Sequence, residues 1–212
     1  MKKLLTVAMG AILLCGVAGC GPKYDKTVLA FAGDDAGKTF HVAGGWGGVD
    51  GVWAPKDETK MTATSVAEVA KLDKALAKKL SQKTNLKYLY VGEVDLSGEC
   101  TWKAKALVNG EVKEFDANHT VKAIRAKYDE ADKAYIVDQW VPDPHTAHAE
   151  ALTDNLFIPT WQEAADEKGF EWSQNPVCTD EGNAKYTLVV AQYDAVSSPE
   201  VCGFGLGLVK KA

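Results

Sequence analysis

The sequence predicts an α+β fold, mainly antiparallel β and sandwich-like, made of two similar β-rich modules. Three observations predict it. Short segments alternate apolar and polar residues between turn signals, two capping boxes each follow a long loop, and the chain repeats itself at a spacing of about 95 residues. Each half reads as strand, strand, long loop, helix, strand, strand, an order that points to antiparallel modules rather than a parallel sheet.

In the first half, residues 27–32 read as a strand, and the matched segment around Lys38, Phe40 and Val42 as its partner. Ser65-Val-Ala-Glu68 is a capping box: the hydroxyl accepts from an amide one turn on, and the glutamate reaches back to the cap amide. Val66, Val69, Leu72, Leu76 and Leu80 then fall at helical spacing, which predicts one amphipathic helix. Its lysine-rich outer face reads as solvated, with a membrane-surface role as the alternative. Residues 86–96 and 101–108 are rich in strand formers, and Asn109-Gly110 is a two-residue hairpin turn into residues 111–116.

The second half follows the same order. Residues 119–128 and 134–141 form a hairpin, Thr160-Trp-Gln-Glu163 opens a short helix that Gly169 stops, and residues 186–195 and 201–209 pair across Ser197-Ser198-Pro199. Matched pairs include Thr27 with Thr120, Phe40 with Tyr135, Val42 with Val137, Trp46 with Trp140, and Ser65 with Thr160. Further along, Tyr88 matches Tyr186, Val91 matches Val189, and Cys100 matches Cys202. Freely placed gaps make chance similarity of two β-rich halves the competing account. Boundaries follow: 1–19 a signal segment, 20–26 a short tether, 27–118 the first module and 119–212 the second.

Lys2 and Lys3, an apolar run to Val17, and Val17-Ala18-Gly19-Cys20 make a secretory signal too short to span a bilayer. Val17-Ala18-Gly19-Cys20 resembles the lipobox of bacterial lipoproteins. That resemblance implies cleavage before Cys20, acylation of Cys20, including a palmitate-type chain, and lipid anchoring outside the cytoplasm at the cell membrane or outer membrane. Gly21, where an Asp would signal inner-membrane retention, permits outer-membrane transfer. Six tether residues reach about 20 Å at most, so the folded part is expected close to the lipid surface.

Without Lys2 and Lys3, 22 basic residues face 29 acidic ones, a net charge of −7. Arg125 is the only arginine, so no Arg cluster exists for phosphate contacts, and nucleic acid is not an expected partner. Cys100, Cys178 and Cys202 remain after the signal and Cys20 are set aside, an odd number whose pairing the spacing leaves open.

Long loops after the second strand of each half are where ligand chemistry is expected. The first is Gly44-Gly45-Trp46-Gly47-Gly48-Val49-Asp50-Gly51-Val52-Trp53, which lacks a dinucleotide fingerprint. Its tryptophans amid glycines suit sugar rings or apolar peptide side chains. The expected contacts are Trp46, Asp50, Trp53 and Trp140, with Trp53 first because it has no counterpart. The competing account places Trp46 and Trp140 in the core. The second loop holds Asp143, His145, His148 and Glu150, an alternative divalent-metal site.

No nucleophile motif, His-Glu-x-x-His or P-loop occurs, so no catalytic residue is assigned, no enzyme is expected and no cofactor is invoked. A carboxylate pair such as Asp50 with Glu93 has nothing to select it. The alternating Gly203, Gly205 and Gly207 are read as letting another segment pack closely. The expected function is lipid-anchored capture of a small ligand, a glycan first. A scaffold or protein-interaction subunit of the cell envelope is the alternative, and a metal-binding module the third.

Overall fold

The computed structural model describes residues 21–47, 51–98, 103–108, 110–142, 149–159, 175–182, 184–194 and 203–211. Its strands are β1 (Lys38–Gly44), β2 (Thr62–Ala63), β3 (Leu86–Asp95), β4 (Lys103–Val108), β5 (Glu111–Asp116), β6 (Val121–Asp129) and β7 (Ala134–Val141). They continue as β8 (Ala149–Ala151), β9 (Leu156–Phe157), β10 (Val177–Cys178), β11 (Lys185–Tyr193) and β12 (Phe204–Lys210). Among the described residues, two helices, α1 (Val66–Leu72) and α2 (Lys74–Ser81), join them in a mainly antiparallel, β-rich α+β fold of the predicted class.

A five-stranded sheet runs β2-β3-β11-β12-β8 and a three-stranded sheet runs β1-β6-β7, with β4-β5 and β9-β10 as smaller pairs. Among the described strands, only β8 joins its neighbour in parallel. The central strand β11 shows why the layers stack as they do. Tyr186, Leu188 and Val190 point to one side and meet Phe40 and Val42 of β1 in the main core. Val189, Ala191 and Tyr193 point to the other and meet Val66, Val69, Leu76 and Leu80 of the helices. Both faces are covered, so Tyr186 to Ala191 is buried throughout and the sequence there reads as an apolar run without alternation. The result is three layers: helices, five-stranded sheet, three-stranded sheet.

The single predicted helix is two. Asp73 adopts an extended backbone (φ −150°, ψ 115°), and its carboxylate accepts from Ala75 N at 2.7 Å and Leu76 N at 3.0 Å. An Asp at this position caps a new helix instead of continuing the old one. The apolar stripe therefore restarts in a new phase, and Leu72, predicted on it, is 46% exposed. Ser65 caps α1 as expected, accepting from Glu68 N, but the return bond of the predicted capping box does not form, because the Glu68 carboxylate pairs with Lys71.

Residues 27–32 do not form the predicted strand. Leu29 alone makes ladder-like bonds, donating to Thr64 O at 3.0 Å and accepting from Leu89 N at 2.9 Å. Thr27 N and Phe31 N instead donate to side chains, Asp25 Oδ1 and the Tyr90 hydroxyl. The second helix from Thr160, the turn at Ser197 and the lipobox with Cys20 lie outside the described residues. Gly205 and Gly207 do admit a close neighbour: a Cβ at Gly205 would sit 2.4 Å from the Tyr193 hydroxyl, and one at Gly207 3.2 Å from Thr153 Cγ2.

Residues matched between the two halves take like positions in some places and unlike ones in others. Val91 and Val189, matched in sequence, face each other in the β3–β11 ladder, and the matched Tyr88 and Tyr186 both lie in the main core. Phe40 and Val42 are also core residues, whereas their matches Tyr135 and Val137 are half-buried and 40% exposed. Residues of both halves contribute to the same main core.

Candidate functional site

The three-stranded sheet has an inner and an outer face because side chains alternate along each strand. Phe40, Val42, Val121, Ala123 and Val141 point inward to the main core. The outer face carries a second cluster: Ala43, Ile124 and Ala126 form a fully buried floor, with Trp53, Tyr135 and Trp140 half-buried against it. Small residues in that floor let three large rings lie on one sheet face.

Each ring arrives by a different route. Trp140 sits on β7 opposite Ile124 of β6, which in turn is opposite His41 of β1. Trp53 comes from the chain flanking the other edge of β1, where Gly44 and Val52 exchange backbone bonds of 2.9 and 2.8 Å. Gly51, at φ +66°, makes the turn before it. A Cβ at Gly51 would sit 2.5 Å from Trp53 Nε1. At about 4.8 Å per strand, β7 to the Trp53 segment spans about 14 Å.

Polar groups fix the rim. The Tyr135 hydroxyl donates to Asp57 Oδ1 at 2.6 Å, and that bond to a carboxylate is the main reason its pKa is pushed up to about 12. Tyr135 also meets His41 edge-on, ring centres 4.5 Å apart. Lys122 Nζ lies 4.4 Å from the centre of the Trp140 ring and bonds Asn175 Oδ1 at 2.9 Å.

His41 is fully buried, with Nδ1 2.9 Å from Lys56 O and Nε2 2.7 Å from Thr39 Oγ1. A carbonyl only accepts, so Nδ1 carries the proton and Nε2 accepts from the hydroxyl. Burial holds the imidazole below its usual range. It lies in β1 against the Tyr135 ring, with both nitrogens engaged.

Of the four expected contacts, the structure places Trp53 and Trp140 against one cluster on the outer face and separates Trp46. Trp46 is 6% exposed and belongs to the main core, so the expectation that it meets ligand is corrected. The adjacent glycines serve this packing. A Cβ at Gly44 would lie 1.7 Å from the Trp46 ring, and one at Gly45 2.0 Å from Ala117 O. Asp50 lies outside the described residues. Tyr135, Ile124 and Lys122 were missed in sequence; alternation along 121–128 signals two faces but not which element covers each.

Asp143, His145 and His148 also lie outside the described residues. Glu150 accepts from the Tyr193 hydroxyl at 2.6 Å and pairs with Lys83 at 2.5 Å, so both bonds hold it within the fold. Cys178 is a buried free thiol whose pKa burial raises; Cys100 and Cys202 are outside the described residues. Glu93 pairs with Lys211.

Beside the aromatic face, the β6–β7 hairpin exposes Tyr128, Ile136 and Val137 at 38, 51 and 40%. They line a cleft of about 290 Å³ with Lys127, Asp129 and Asp138. Among the described residues, no helix is long and apolar enough to cross a membrane. No protein-family model, curated protein or solved structure matches this chain.

Proposed function

We propose that this is a lipid-anchored extracytoplasmic protein that holds an extended, carbohydrate-like ligand on the outer face of its three-stranded sheet. One observation carries the reading: Trp53 and Trp140, far apart in sequence, pack with Tyr135 against a single apolar floor. Aromatic rings of this kind stack on the C–H faces of sugars, while hydroxyl and amide groups at the rim supply hydrogen bonds. The anchor rests on the Cys20 lipobox. The two halves are read as copies of one unit, supported by the facing Val91 and Val189.

The test is a fluorescence titration of the protein with a panel of polysaccharides. A saturable shift with one glycan class is expected, weakened about tenfold or more in both Trp53→Ala and Trp140→Ala, which is about 1.4 kcal/mol or more. Unchanged affinity in both variants, or no shift with any glycan, rejects glycan capture.

A protein partner is the second reading, favoured by the exposed Ile136 and Val137 on β7. This strand pairs only with β6 among the described residues, and such an edge can accept an added strand. The metal-binding reading rests on Asp143, His145, His148 and Glu150 as a sequence pattern alone.

A further inference from the structure

Lysine is concentrated in two segments of the chain. Residues 21–31 and 65–87, which make the N-terminal segment, both helices and the turn into β3, carry eight lysines against three acids. The rest of the chain after Cys20 carries 14 basic against 26 acidic residues. Acids from elsewhere meet part of this excess, since Asp154 pairs with Lys79, Glu150 with Lys83, and Asp35 and Asp194 with Lys87; Lys23, Lys26, Lys74 and Lys78 stand outside these pairs as an exposed basic patch.

The first described residues lie against the helix layer. The Tyr24 hydroxyl donates to Lys74 O at 3.3 Å, Asp25 O accepts from Ala67 N at 2.8 Å, and Tyr24 packs against the helix cluster. The four residues from Cys20 to Tyr24 reach about 14 Å when fully extended. An acyl chain on Cys20 therefore holds the helices, not the aromatic face, beside the bilayer. Lys71 and Lys79 pair with Glu68 and Asp154, whereas Lys74 and Lys78 stand one turn apart on the exposed side of α2, with Lys23 and Lys26 exposed nearby in sequence.

We propose that the helix layer, through Lys23, Lys26, Lys74 and Lys78, docks on anionic phospholipid headgroups and turns the aromatic sheet face away from the membrane. This rests on the lipid-anchor reading and adds an orientation to it. Anionic headgroups attract lysines held within a Debye length of about 8–10 Å, and the same surface repels the acidic remainder. The lysine patch lies on one layer, so its attraction favours one orientation. With the five-stranded sheet between them, the helices and the Trp53–Trp140 face lie on opposite sides of the molecule. A bulky polymer then reaches the rings without crossing the lipid surface.

The experiment uses the full lipid-modified chain in vesicles of phosphatidylcholine alone and of phosphatidylcholine with about 30 per cent phosphatidylglycerol. Amine acetylation is read residue by residue by mass spectrometry. Lys74 and Lys78 are expected to label several-fold more slowly in the anionic vesicles, while Lys133 at the far hairpin labels alike in both. In a Lys74→Glu/Lys78→Glu variant, Lys23 and Lys26 return to their neutral-vesicle rate. A chain that floats with both vesicles and labels alike in both overturns the orientation alone. A chain that floats with neither overturns the anchor and the orientation with it.

Discussion

His41 attracts attention in a sequence with four histidines, and its surroundings explain what it does. Both ring nitrogens are engaged, the ring is buried, and a proton added at Nε2 would lose an acceptor and bury a charge. Its folded-state pKa lies below the 6.5 of the unfolded chain, so the unfolded state binds the extra proton first as pH falls. Stability is therefore full above pH about 6.5 and declines as pH falls from there towards the depressed value. Thermal melts between pH 7.5 and 5.5 should show this decline in the native protein and a flatter profile in His41→Asn; parallel profiles would refute it. The tryptophans divide by the same logic of surroundings. Trp46 and Trp140 are indistinguishable by type and spacing, yet one fills the core and the other lies on the outer face.

Asp73 decides an entire element. The predicted helix was correct in place and in its buried residues Val66, Val69, Leu76 and Leu80, but a short polar side chain that caps its own following amides ended it midway. Asp73→Ala removes both bonds and should cost about 1 kcal/mol in denaturant unfolding, the usual worth of an N-cap. A cost near zero would mean that the cap contributes nothing to α2. Strands were legible where one face is wet, as in the β4–β5 hairpin around Asn109-Gly110. They were less so at residues 27–32, where the hydroxyl of Tyr90 and the carboxylate of Asp25 take amides that a ladder would have used.

At the scale of the molecule, the two sequence halves share one core and one central ladder. Leu188 in the second half is fully buried in a cluster with Phe40, Tyr88 and Tyr90 of the first. Leu188→Ala should therefore destabilise the whole protein by about 2–5 kcal/mol while leaving a single unfolding transition. Two transitions, only one of them shifted, would show that the halves unfold independently. The same sharing explains why the candidate site was only partly legible. Trp53 and Trp140 were singled out as aromatics in or near loops, but their meeting depends on β1 lying between the Trp53 segment and β6.

The sequence by itself determined what is local: the α+β class, the Ser65 cap, the β4–β5 and β6–β7 pairs, the apolar run of β11 and the basic helices in an acidic chain. Tertiary structure alone decided which face each strand buries, that Trp46 goes inward while Trp53 and Trp140 share the outer face, and that the chain enters beside its helices. Propensity and periodicity act over a few residues, whereas the side of a sheet that is buried depends on which distant segment covers it.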